Sequence, residues 1–225
     1  FKIEDDKNQF FINQMERNAN QYSKIIDRQL SITHVDDFML EKEYRKRRSE
    51  ADDVIDAIEV DIDGRKILIE GKIDRIDVFN YNGRKYFRII DYKTGNKEFE
   101  IGKIYAGVDM QLLLYLNAVL NQNKDSKPLG VFYQKLRDDL DIIGMKQINL
   151  DSNSDKLKAY KLSGIINDDI DLYNYIDSEA LDEKQYVKSE QYNYEGRKSA
   201  FKDKNNVVSE NFFEKLIKKN EDNVI

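Results

Sequence analysis

An α/β domain is predicted from three observations: an early helical stripe, a central series of strand-like runs joined by two-residue turn signals, and a second helix followed by one more strand. The 225 residues read as a single domain, with its core at about 56–137 and a C-terminal elaboration at about 140–225.

The elements follow in order. Phe10, Ile12, Met15, Ala19, Tyr22, Ile25, Ile26 and Leu30 recur at spacings near three and four, which predicts an amphipathic helix over 5–30 with that stripe in the core. From Thr33 to Asp53 the periodicity is lost, and Lys42, Arg45, Lys46, Arg47 and Arg48 form a charged cluster that reads either as a solvated face or as a contact for a DNA backbone. Residues 56–62 alternate, Asp63-Gly64 is a hairpin signal, and 66–79 form a long strand ending at Tyr81-Asn82-Gly83. Tyr86 to Tyr92 is a third strand, closing an antiparallel meander. Residues 107–122, with Met110, Leu113, Leu114, Leu116, Ala118 and Leu120, predict a buried helix, and Leu129 to Leu136 a returning strand. Beyond 140 the signals weaken to a strand at Asp141–Leu150, an extended segment at Lys158–Ile166, a short acidic helix at Asp168–Ile176, and a closing helix capped by Ser209. That last helix is expected to turn Phe212, Phe213, Leu216 and Ile217 inward.

Composition removes several kinds of chemistry. With no Cys and one His, the chain carries no disulfide, no thiol nucleophile, no Cys-ligated zinc or iron–sulfur cluster and no two-His metal site. Any metal must rest mainly on carboxylates and so be a hard cation. No apolar run approaches the ~18–20 residues of a membrane span, so the chain is expected to be soluble, without a membrane partner. The start at Phe1, without an initiator Met, reads as a piece cut from a longer protein.

Asp91-Tyr92-Lys93 ends the third strand with an acid two residues before a lysine. Five such pairs occur, at Asp5/Lys7, Glu70/Lys72, Asp91/Lys93, Asp125/Lys127 and Asp182/Lys184, which is no more than the composition gives by chance. Context separates them: only Asp91/Lys93 closes an apolar strand that pairs, through a short turn, with another acid-bearing strand, Gly71-Lys72-Ile73-Asp74. Residues i and i+2 share a face, so Asp91 and Lys93 project together, and Asp74 falls almost opposite Asp91. Two carboxylates that close repel, and a divalent ion resolves the conflict, with Mg²⁺ matching the ligand count and Lys93 placed to orient a nucleophile. The main-chain carbonyl of Tyr92 is a further candidate ligand. The same residues also fit an ordinary cross-strand ion pair between Asp74 and Lys93 or Arg75. Gln111 and Tyr115 stand at i and i+4 on an otherwise apolar helix, as a polar edge or as part of a site.

Gly71-Lys72-Ile73-Asp74-Arg75-Ile76-Asp77, Ile89-Ile90-Asp91-Tyr92-Lys93-Thr94-Gly95, and Gln111 with Tyr115 together resemble the PD-(D/E)XK nuclease superfamily, and within it the nuclease domain of RecB/AddB-type bacterial helicase–nucleases. The motifs cover residues 71–115; weaker similarity continues through Tyr160–Ile166 and the Val207-Val208-Ser209-Glu210 helix start. The resemblance implies a restriction-endonuclease-like fold, a central mixed β-sheet flanked by helices. It implies Asp74 and Asp91 as Mg²⁺ ligands, with Mn²⁺ able to substitute, Lys93 as the catalytic lysine, and Gln111 and Tyr115 as the helix motif. It further implies a cytoplasmic bacterial enzyme that hydrolyses single-stranded DNA ends beside an AddA-type helicase/nuclease partner subunit, in the recombination repair of double-strand breaks. Asp77 and Arg75 are expected to form a structural ion pair. Two departures stand out. The branch carries an upstream His ligand, and His34 does not sit in that context, so the ligand is expected before Phe1. The AddB-type Cys quartet and its iron–sulfur cluster are absent, so either they lie outside these residues or this is a cluster-free relative. A CRISPR-adaptation or phage-type exonuclease with the same core, and an inactive module that binds DNA or a partner, remain as alternatives.

Overall fold

The computed structural model describes residues 2–95, 97–136, 161–177, 186–188, 192, 195–197 and 206–224. In chain order its elements are α1 (Lys2–Ile32), β1 (Asp37–Arg45), β2 (Ile55–Asp56), β3 (Ile58–Ile62), β4 (Arg65–Ile69), β5 (Gly71–Tyr81), β6 (Arg84–Lys93), α2 (Ile101–Tyr105), α3 (Gln111–Gln122), β7 (Lys127–Lys135), β8 (Ser163–Asn167), α4 (Ile170–Ile176), β9 (Tyr186–Lys188), β10 (Glu195–Arg197), β11 (Val207–Val208) and α5 (Glu210–Val224).

Asn82 and Gly83, at φ 50° and 74°, make the left-handed two-residue turn that joins β5 to β6. That turn sets the register Tyr81↔Arg84 through Arg75↔Ile90. β6 continues through α2 and α3 into β7, which pairs with it in parallel. The seven-stranded sheet runs β11-β8-β7-β6-β5-β1-β2 and is mixed, with parallel pairs β6/β7, β1/β2 and β8/β11. One face of the sheet packs Ile76, Val78, Phe87, Ile89 and Val131 against Leu112, Leu113 and Leu116 of α3 and Phe213 and Leu216 of α5. The other packs Phe79, Ile90 and Phe132 against Leu172, Tyr173 and Ile176 of α4. Each such fully buried side chain stabilises the fold by about 1.5–3 kcal/mol.

Several expectations are corrected. The first meander strand does not join the central sheet: β3 pairs with β4 in a separate hairpin, and β5 takes β1 as its neighbour instead. The expected long strand over 66–79 breaks at Glu70, whose carboxylate accepts the Lys46 N–H at 2.7 Å. At Gly71 the Tyr44 ring lies against the backbone, so a Cβ there would stand 2.8 Å from it. The stretch 33–53 is not patternless but carries β1, in which Tyr44 alone is fully buried. The helix expected over 107–122 begins at Gln111, after α2 and the left-handed Gly107 (φ 71°). The stripe of α1 is only partly core: Ile25 and Ile32 are buried, whereas Ile12 is 49% and Met15 70% exposed. A 31-residue helix is about 46 Å long, and among its described residues only Ile25, Gln29 and Ile32, all near its C-terminal end, are buried.

The later expectations fall closer. β8 and α4 match the extended segment and the acidic helix, the latter capped by Asp169, which accepts from the N–H groups of Asp171 and Leu172. Ser209 Oγ accepts from Phe212 N–H at the start of α5. The strand expected at Asp141–Leu150 and residues 158–160 lie outside the described residues.

Beneath α4 the sheet buries a charge cluster. Asp77, 0% exposed, accepts from Arg75 Nε at 2.7 Å and from Arg88 Nη2 at 2.6 Å. The structural pairing of Arg75 with Asp77 is therefore present, and Arg88, also stacked over Phe79 at 5.2 Å, joins it. Asp77→Ala is expected to cost about 3–5 kcal/mol in denaturant unfolding, because it removes the one carboxylate shared by two buried guanidinium groups; a loss under 1 kcal/mol would contradict this.

Candidate active site

The face of the sheet under α3 also carries polar side chains at its end. Phe87, Ile89, Asp91 and Lys93 share one side of β6, the first two in the core and the last two where the core gives out. The β5/β6 register brings Asp74 opposite Asp91, and Asp74 Oδ2 accepts the Tyr92 N–H at 2.8 Å. On the other flank the β6/β7 register sets Tyr133 beside Asp91.

Asp91 is 2% exposed. Lys93 Nζ approaches its Oδ2 at 2.5 Å, but that oxygen has no hydrogen bond of good geometry. Burial pushes the Asp91 carboxyl above its ordinary range and the neighbouring Asp74 adds to the rise, while Lys93 and Lys97 oppose it. Lys93 Nζ also donates to Gln111 Oε1 at 2.9 Å, and Gln111 Nε2 donates to Tyr115 Oη at 2.5 Å. One turn of α3 thus holds the amide and the phenol that fix the lysine. Tyr115 is raised by burial, and the nearby Asp91 and Asp74 raise it further. Its ring meets Tyr44 edge to face at 5.6 Å.

The two carboxylates, the lysine and the Gln–Tyr pair named from the sequence therefore come together in one place. The basic residues do not. Lys42 pairs with Asp53, Arg45 with Asp52 and Glu43, and Arg47 with Asp56. Together with the Arg48 N–H, which donates to Asp52, they brace the segment between β1 and β2. Tyr44, Lys97, Asp109 and Tyr133 are site neighbours that the sequence reading missed. Tyr133 was already on an expected strand, but only the β6/β7 register reveals its place beside Asp91.

Among the described residues no group of three His, Cys, Asp or Glu side chains is gathered to hold a metal. What the site offers is a buried carboxylate with an unsatisfied oxygen, a second carboxylate across the hairpin, and the Tyr92 main chain between them. Those donors suit a hard divalent cation completed by water or phosphate oxygens.

A family model described as the PD-(D/E)XK nuclease superfamily matches residues 11–211. The B subunit of an ATP-dependent helicase/deoxyribonuclease from Thermoanaerobacter sp. (strain X514) is 36% identical over 118 residues, 51% of this chain and 10% of that protein. The protein of the same name from Clostridium perfringens (strain SM101) is 35% identical over 130 residues, 55% of this chain and 11% of its own length. That from Clostridium acetobutylicum is 37% identical over 123 residues, 52% and 11% respectively. The chain thus spans about a tenth of the length of these curated relatives.

A carboxyl with a higher pKa folded than unfolded stabilises the fold only while protonated, and that contribution is lost as pH rises from near 4 through the folded value. Asp91→Asn is therefore expected to raise the melting temperature of the metal-free chain by a few degrees at pH 7, with the gain vanishing in acid. A lower melting temperature at pH 7 would contradict the cost assigned to the buried charge.

Proposed function

The chain belongs to the PD-(D/E)XK nuclease superfamily, and on that premise we propose that it is the Mg²⁺-dependent deoxyribonuclease domain of an AddB-type helicase–nuclease subunit. Its substrate is single-stranded DNA delivered by a helicase motor, cleaved from the end as an exonuclease. The setting is the processing of double-strand breaks for recombination in a bacterial cytoplasm, beside an AddA-type partner subunit. The names of the relatives support the DNA substrate, the helicase and the subunit arrangement. No helix among the described residues is long and apolar enough to cross a membrane.

One observation carries the reading: the Lys93 ammonium is held between Asp91 Oδ2 (2.5 Å) and Gln111 Oε1 (2.9 Å), with Asp74 across the hairpin. Asp74, Asp91 and the Tyr92 carbonyl would hold the cation. When bound, Mg²⁺ or Mn²⁺ supplies Lewis-acid polarisation of the phosphate and a more acidic water. Lys93 orients the attacking water and stabilises the negative charge that gathers on the phosphoryl oxygens. Gln111 holds Lys93 in that position, and the Tyr115 hydroxyl, accepting from Gln111 Nε2, steadies the amide in turn. The basic cluster at 42–48, largely engaged by acids, is given no part in this contact.

A second reading, a metal-poor module that binds DNA without cutting it, is favoured by the absence, among the described residues, of a third His, Cys, Asp or Glu gathered with Asp74 and Asp91 to hold a metal. Cleavage of a labelled single-stranded oligonucleotide with Mg²⁺ or Mn²⁺ separates the two. Asp91→Ala and Lys93→Ala are expected to lower the rate by at least about 10²-fold, and Gln111→Ala by about tenfold, with unchanged circular dichroism. Full activity in Asp91→Ala or Lys93→Ala would overturn the assignment; no cleavage by the unmodified chain would favour the module.

A further inference from the structure

A second lysine shares the aromatic neighbour of Lys93. The Lys97 ammonium lies 4.7 Å, and the Lys93 ammonium 5.5 Å, from the centroid of the Tyr133 ring. Tyr133 is 1% exposed and donates its hydroxyl to Asp109 Oδ1 at 2.6 Å. The same oxygen accepts from Lys97 Nζ at 2.9 Å. Asp109 is 7% exposed, whereas the Lys97 side chain is 40% exposed, so the ammonium is anchored on its inner side and open on its outer side.

The open side faces a pocket of about 540 Å³ lined by Gly95, Lys97, Glu98, Lys103, Val108 and Asp109. Glu100, also on its wall, is answered by Lys103 at 2.5 Å, as Asp109 is by Lys97. That volume falls in the range of small-molecule sites and suits one nucleotide. An ammonium has three donors, and Asp109 occupies one of them in Lys97. Two cations on one aromatic ring must lie within two phosphates' reach of each other along a bound strand.

We propose that this pocket seats the nucleotide next to the linkage being cut and that Lys97 binds its phosphate; the role rests on the nuclease reading above. Tyr133 and Asp109 are positioning residues, holding Lys97 where a strand passing Lys93 meets it.

The test is binding of a fluorescent single-stranded oligonucleotide to the chain without divalent metal, by anisotropy over a range of salt. Lys97→Ala is expected to weaken binding about fivefold at 100 mM salt and to make the salt slope shallower by about 0.7, one phosphate contact on a single strand. Lys97→Arg should restore most of both. Lys66→Ala, on the β3–β4 hairpin where Lys66 pairs with Glu59, is the control and should change neither. Affinity and slope in Lys97→Ala equal to those of the unmodified chain, or shifted no more than in Lys66→Ala, would overturn the inference. Such a result with cleavage intact in the unmodified chain leaves the nuclease reading standing. A Lys97-dependent slope in a chain that does not cut would leave Lys97 as a phosphate contact but overturn the nuclease reading and, with it, the pocket's place beside a cut linkage; a chain that neither binds nor cuts would overturn both.

Discussion

Asp91 sits on a strand with neighbours on both sides, its carboxylate nearly sealed from water and one oxygen without a well-directed hydrogen bond. A second carboxylate stands opposite across the hairpin. Leaving a charge in such surroundings is unfavourable, and the cost is opposed first by Lys93, two residues on along the same face, and then by Lys97. The lysine is in turn held by Gln111, and Gln111 by Tyr115, so the first turn of α3 is tied to the charges of β6 while its leucines hold the helix to the core. The Asn82-Gly83 turn is equally necessary, since a one-residue slip would send Asp74 to the opposite face.

The two faces of these strands hold charge for different ends. Asp77 lies three residues after Asp74 and Arg88 three before Asp91, so the alternation of the strands sends them to the face under α4. There the carboxylate is bound by two arginines, so the charge of Asp77 is answered within the protein, although Arg75 Nη1 and Nη2 make no hydrogen bond. On the face under α3 the charges are incompletely matched, and that mismatch is what a cation and a phosphate would relieve. Burial alone does not distinguish the two sets, because Asp77 and Asp91 are both deeply buried. Their partners distinguish them.

What could be read from the sequence was local. Asn-Gly turns, two-residue alternation and the i, i+4 spacing of Gln111 and Tyr115 each act over a few residues, so the β5–β6 hairpin and the five residues gathered around it were legible. β1 was not, because as a strand next to the sheet edge it buries only Tyr44 and leaves Phe38 and Leu40 half exposed, which erases the alternation. The β3–β4 hairpin follows the Asp63-Gly64 signal, but its separation from the central sheet was hidden by the continuity of the strand-like run through Glu70; Ile67 and Leu68 are both exposed, so the strand pattern there does not report a core. Lys97, Asp109 and Tyr133 meet through the parallel β6/β7 register, a long-range pairing that no short motif announces. The early part of the α1 stripe misled for a simpler reason: helical amphipathicity marks a face able to pack, not how far along the helix a neighbour extends.

The central claim is that Asp74 and Asp91 form one cation site whose charge is otherwise unbalanced. Calorimetric titration of Mn²⁺ into the metal-free chain tests it without reference to cleavage. Saturable binding at or below millimolar ion, lost in both Asp74→Ala and Asp91→Ala while each variant remains folded, is the expected result. Absence of binding at millimolar ion in the unmodified chain, or binding that survives both substitutions, would contradict it.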